Sequence, residues 1–117
     1  MISAVIFADD WTYVPELLST CRTLGLDNLL IFSPEELVEV EKAGMHGASE
    51  IISYRSPPIP TYISRLLIQL VFDRRPRLVV GVARKNVREV FGRAAQKIGA
   101  ACANDCNDVE IIGEIVR

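Results

Sequence analysis

Apolar residues recur along this chain in two rhythms. Short, mostly apolar runs occur at Ser3–Ala8 (SAVIFA), Leu29–Phe32 (LLIF), Glu50–Tyr54 (EIISY) and Leu78–Val82 (LVVGV). Such runs lack polar alternation, which suits strands buried on both faces of a parallel sheet. Between them, apolar residues return every three or four positions, the spacing of a helix face. Val14, Leu17, Leu18 and Cys21 form one stripe, which Gly25 is placed to end. Ile63, Leu66, Leu67, Leu70 and Val71 form another, closed by Pro76. Val87, Val90, Phe91, Ala94, Ala95 and Ile98 form the last, ended by Gly99.

Local signals sharpen some boundaries. Ser33-Pro34-Glu35-Glu36 has the makings of a capping box, with Ser33 as cap, Pro34 in the first turn and Glu36 reaching back. It predicts a helix through Leu37, Val40 and Ala43 that stops near Gly44. The prolines of Arg55–Pro60 (RSPPIP) forbid regular structure before Thr61. Ala101–Ala103 predicts a weak fifth strand, and Val109–Val116 a final strand at an edge. Strands alternating with helices imply a three-layer α/β fold: one domain over 1–117, built on a mostly parallel, Rossmann-like sheet covered on both faces.

Composition agrees with a globular domain, being half apolar and about a quarter charged over 117 residues. No apolar run reaches the roughly 18 residues that span a bilayer. The start, MISAVIFADD, lacks a basic leader region and suits a first strand better than a signal peptide. Three cysteines make no disulfide framework, so the expected setting is the reducing cytoplasm. The net charge of −2 is unevenly placed: residues 1–72 carry nine acids and four bases, residues 73–117 six acids and nine bases. The basic segment from 73 onward suits a solvated helix face or a dock for an anionic ligand or acidic partner. Nucleic acid is disfavoured, because the chain is net acidic and no aromatics interleave with the bases.

Ligands of open α/β sheets bind beyond the carboxyl ends of the strands, where strand order reverses. Two loops fall there. Ala83-Arg84-Lys85-Asn86 joins two cations to a helix N-terminus, whose free N–H groups favour anions. It is not glycine-rich and matches neither GxGxxG nor GxxxxGK[ST]. Asp9-Asp10 can position a ribose, hold Mg²⁺ or act as an acid/base pair; equally it can cap the next helix, since adjacent residues at a strand end point apart. Trp11 beside them can stack on an adenine or seal the mouth of the sheet. Cys102 and Cys106 offer two thiols where a zinc site needs four ligands, and neither His46 nor Cys21 completes the set. With one histidine and no GxSxG, a hydrolase triad has little support.

The stretch from Gly81 to Asp105 resembles the N-terminal domain of the electron transfer flavoprotein alpha subunit. Gly81-Val82-Ala83 stands for that family's G-A-[TS], Arg88-Glu89-Val90 for R-D-L, and Arg93, Ala95, Gly99-Ala100 and Asp105 fall in register. Val5–Ala8 with Val14–Leu18 is similar to its first strand and helix, and Arg74–Val80 to its approach to strand four. The loop after Gly81 is one residue longer; Val87 falls where the family has glycine, so Asn86 is expected to take over the turn. The family's V-R-P-x-x-G-G-N is not found at Ile111–Arg117, and the C-terminal domain that supplies most of its FAD site does not follow in this chain.

The resemblance implies a fold of the adenine-nucleotide-alpha-hydrolase-like group, shared with universal stress proteins. It implies a non-catalytic scaffold in flavin-dependent electron transfer that docks on a beta-like subunit or on itself, with FAD held elsewhere. Arg88, Arg93 and Asp105 are then structural or docking residues, with Arg93 and Asp105 as a candidate ion pair. The alternative is a stand-alone AMP- or ATP-binding domain of stress-protein type, with Arg84, Lys85 and Asn86 on phosphate and Asp9 or Asp10 near ribose.

Overall fold

A computed structural model of the chain describes residues 2–38, 47–82, 85–98, 102–104 and 109–112, at 98, 102–104 and 109–112 as backbone. Four strands, β1 (Ala4–Phe7), β2 (Leu29–Pro34), β3 (Glu50–Tyr54) and β4 (Leu78–Val82), run parallel. The helices are α1 (Val14–Thr23), α2 (Pro60–Arg74) and α3 (Lys85–Ile98). Two short strands follow, β5 (Cys102–Asn104) and β6 (Val109–Ile112), and the sheet order is β3-β2-β1-β4-β6-β5. The fold is a three-layer, Rossmann-like α/β sandwich.

Period-two alternation sorts the strand side chains into two cores. Ala4, Ile6, Leu29, Ile31 and Val80 face α1, where Val14, Leu17, Leu18 and Cys21 meet them. Val5, Phe7, Leu30, Phe32 and Val79 face α2 and α3, where Leu67, Leu70, Val71, Val87, Val90, Phe91, Ala94 and Ala95 pack. The described residues of the predicted helix stripes therefore form the helix faces turned to the cores; the Ile98 side chain lies outside them. Ile63 and Leu66 of the second stripe are only partly buried. α1 ends at Gly25, whose φ of 80° is left-handed. α2 ends on Arg75, also left-handed at φ 51°, just before Pro76. Arg74 in the last turn of α2 makes a bidentate pair with Glu50 of β3, at 2.7 and 2.8 Å, and ties that helix end to the edge strand.

Three expectations are corrected. Ser33 does not cap a helix at Pro34: β2 runs on to Pro34, paired with Tyr54, and Glu35–Leu37 make only a 3₁₀ turn without a side-chain cap. The Ser33 hydroxyl is taken instead by the indole N–H of Trp11, at 2.7 Å. The rest of the expected helix, at 39–46, lies outside the described residues. The final strand is not at an edge: β6 lies antiparallel between β4 and β5, and β5 forms the rim. Asn86 does not make a left-handed turn: it sits in the first turn of α3, and Arg75 is the one non-glycine residue with positive φ among the described residues.

Candidate functional site

The chain steps from β1 to β2 to β3 on one side of β1, then crosses through α2 to β4 on the other side. The reversal beside β1 leaves a crevice at the carboxyl ends of the strands, the place where such sheets bind ligands. A cleft of about 270 Å³ lies there. Phe7 and Asp9 come from the end of β1, Pro34, Glu36 and Leu37 from the end of β2, and Tyr54 and Ser56 from the end of β3. Pro58, Pro60 and Ile63 enter with α2, and Asn86 and Val90 with α3.

Beneath the cleft is an aromatic floor. The Phe32 and Tyr54 rings lie 4.7 Å apart between centroids, and Phe7 sits 6.2 Å from Phe32, 6.5 Å from Tyr54 and 6.0 Å from Phe91. These separations are those of favourable offset and tilted pairs. The Tyr54 phenol is pushed up from its ordinary pKa, first by burial and then by the charges of Asp9 and Glu36. It therefore stays protonated and a donor across the physiological range. At the mouth, Arg55 pairs with Glu35 through Nε to Oε2 and through Nη2 to Oε1, the latter at 3.1 Å. That hydrogen bond, ahead of the guanidinium charge, holds the Glu35 carboxyl below its usual range. The bridge is present at neutral pH and opens as pH falls through the lowered Glu35 value.

The structure separates the two aspartates. Asp10 caps the 3₁₀ turn at Trp11–Tyr13, its Oδ1 accepting from the Thr12 N–H at 2.9 Å. Asp9 lines the cleft, and so does Asn86 from the other candidate loop, so the two loops meet at one site. Lys85 opens α3 and is exposed; Arg88 and Arg93 are exposed further along the helix. Arg84 and Asp105 lie outside the described residues, and with Asp105 the expected pair to Arg93. Trp11 is only 4% exposed and packs in the core under α1, so it seals the sheet and takes no part in the cleft.

Tyr54, Glu36, Ser56 and Ile63 are cleft residues that the sequence reading passed over. The signal for Tyr54 was an aromatic with a polar tip at the carboxyl end of a strand, directly before a proline-rich loop.

No group of three or more His, Cys, Asp or Glu is placed to hold a metal among the described residues. His46 and Cys106 lie outside them. Cys21 is fully buried, and burial pushes its thiol up to about 11. At pH 8 it is almost wholly the unreactive thiol. A thiol reagent should therefore leave Cys21 unmodified in the native chain and label it after denaturation, a difference read by peptide mass spectrometry. Rapid native labelling at Cys21 would contradict this burial.

None of the described helices is long and apolar enough to cross a membrane. A scan against protein-family models and searches of curated proteins and of solved structures found no match to this chain.

Proposed function

We propose that this chain is a non-catalytic binding domain that takes an adenine nucleotide of the AMP or ATP kind at the switch-point cleft. The observation that carries this reading is the convergence of Asp9 and Asn86, from two loops far apart in sequence, on one cleft. A carboxylate there accepts from ribose hydroxyls, and the first turn of α3, with Lys85, favours a phosphate. Calorimetric titration with AMP and with ATP tests it. Saturable binding of one nucleotide per chain is expected, and no heat with either ligand would overturn it.

A second reading is the electron-transfer-flavoprotein-alpha-like scaffold that docks on a beta-like subunit or a second copy in the cytoplasm. It is favoured by where the residues of the resemblance fall. Val90 and Ala95 are packing residues, and Gly81 lies against Phe91 and Val87. On this reading FAD belongs to another domain. The cleft, at about 270 Å³, lies at the small end of ligand sites, and a flavin dinucleotide, far larger than a mononucleotide, needs much more. The isolated chain should be colourless and retain no flavin, as read by visible absorbance. A yellow preparation with one flavin per chain would sink this expectation.

A further inference from the structure

Tyr54 is 8% exposed and its ring is held by Phe32 and Phe7, yet none of the described residues hydrogen-bonds its hydroxyl. Among the described residues, no fully buried side-chain nitrogen or oxygen lacks a partner. The hydroxyl must therefore reach open space, and the space that Tyr54 lines is the cleft. A tyrosine this deeply buried ordinarily finds a partner for its O–H. Here the donor is held ready, facing a void, with apolar walls from Phe7, Ile63 and Val90 around it.

We propose that Tyr54 reads the base of the ligand: its hydroxyl donates a hydrogen bond to a ring nitrogen or carbonyl of an uncharged nucleobase. The phosphate end of the ligand then points away, toward Lys85 at the start of α3. This rests on the nucleotide reading above and adds the orientation and the base contact. Charge sets the orientation. The carboxylates of Asp9 and Glu36 both act on the phenol, so a phosphate placed beside Tyr54 would meet like charge. A flat, uncharged base with an acceptor edge meets the apolar walls and the Tyr54 donor, and its sugar hydroxyls find carboxylate acceptors. Because the phenol stays protonated, the contact persists across neutral pH.

The test uses the full chain, Tyr54→Phe, and three probes: AMP, the matching monophosphate with indole as its base, and inorganic phosphate. Indole keeps the bicyclic shape and has no ring-nitrogen acceptor. Phenylalanine keeps the ring against Phe32, so the melting temperature should hold. One neutral hydrogen bond in an apolar site is worth about 0.5–1.5 kcal/mol, or roughly 2- to 10-fold in affinity. Tyr54→Phe should weaken AMP by that factor and leave the indole analogue unchanged. Wild type should prefer AMP over the analogue by a similar factor, a comparison that stands even if the variant folds poorly. Equal AMP affinity in wild type and Tyr54→Phe would overturn the base contact while leaving nucleotide binding intact. Inorganic phosphate competing as well as AMP would show that no base is read. A wild-type chain that binds neither AMP nor its analogue would remove both proposals.

Discussion

Replacing Phe91 by alanine should lower stability by about 3–5 kcal/mol, a large part of the 5–15 kcal/mol typical of a whole domain. Phe91 is fully buried and is the largest such side chain among the described residues. It lies under the aromatic floor, 6.0 Å from Phe7, and against the backbone of β4. Thermal unfolding should shift down by roughly 10–20 °C for a chain of this size. The closeness of that packing has a second, independent test. A Cβ on Gly81 would lie 3.0 Å from Phe91 Cζ and 3.1 Å from Val87 Cγ1. In a strand interior, Gly81→Ala would otherwise stabilise by about 0.5–1 kcal/mol through chain entropy. Overpacking costs about 1–3 kcal/mol, so the net effect should be destabilising. Phe91→Leu removes the offending ring tip. The double variant Gly81→Ala/Phe91→Leu should therefore lose less than the two singles summed, by about 0.5–1 kcal/mol or more. Strict additivity would show that Gly81 is not there for close approach.

That pair also shows why the fold was legible. The stripe containing Val87, Val90, Phe91 and Ala94 and the run Leu78–Val82 are local patterns, and each element can only bury its apolar face one way. β3 and β4 have the bounds that their apolar runs predict. The failures come from non-local competition. Ser33 carries a good local capping signal, but Trp11, 22 residues earlier, needs an acceptor for its buried N–H and takes the hydroxyl. With Ser33 committed, β2 continues to Pro34 and pairs with Tyr54. The antiparallel pairing of β5 and β6 was within reach, because two short strands four residues apart favour a hairpin. Which of the two would lie against β4 is a tertiary choice that neither segment encodes alone.

The lining of the candidate site was half legible for the same reason. Asp9 and Asn86 follow from the switch-point rule, which needs only the order of strands and helices. Tyr54 and Glu36 become cleft residues because β2 and β3 lie on the same side of β1 and run together two residues past its end, to the pair Pro34 and Tyr54. That is a statement about register, which EIISY and SPEE do not encode; the local hint is the aromatic Tyr54 standing just before the proline-rich loop. Asn86 was expected at a turn and is instead helical, yet it still reaches the cleft, because the first turn of α3 begins at that mouth.

Trp11→Ala should cost about 3–5 kcal/mol, since the ring is almost wholly buried among Val14, Leu17, Leu18 and the β1–β2 side chains. The finer test lies in its hydrogen bond. If Ser33 were a helix cap, Ser33→Ala would cost about 1 kcal/mol whatever stood at position 11. As an acceptor for a buried indole, its loss strands the Trp11 N–H, a penalty of about 1–3 kcal/mol. That penalty should disappear in a Trp11→Phe background, which has no N–H to strand. There the remaining contact of Ser33, from Oγ to the Pro34 carbonyl at 3.3 Å, is weak. Denaturant unfolding of the four variants closes the cycle, and a coupling of about 1 kcal/mol or more is expected. A coupling near zero would return Ser33 to a purely local role. The tether also joins the segment after β1 to the end of β2, so it fixes where Asp9 stands relative to Glu36. If the cleft takes AMP as proposed, Ser33→Ala should therefore weaken that binding several-fold even at temperatures where the chain stays folded. Trp11→Phe should do the same through the same lost bond.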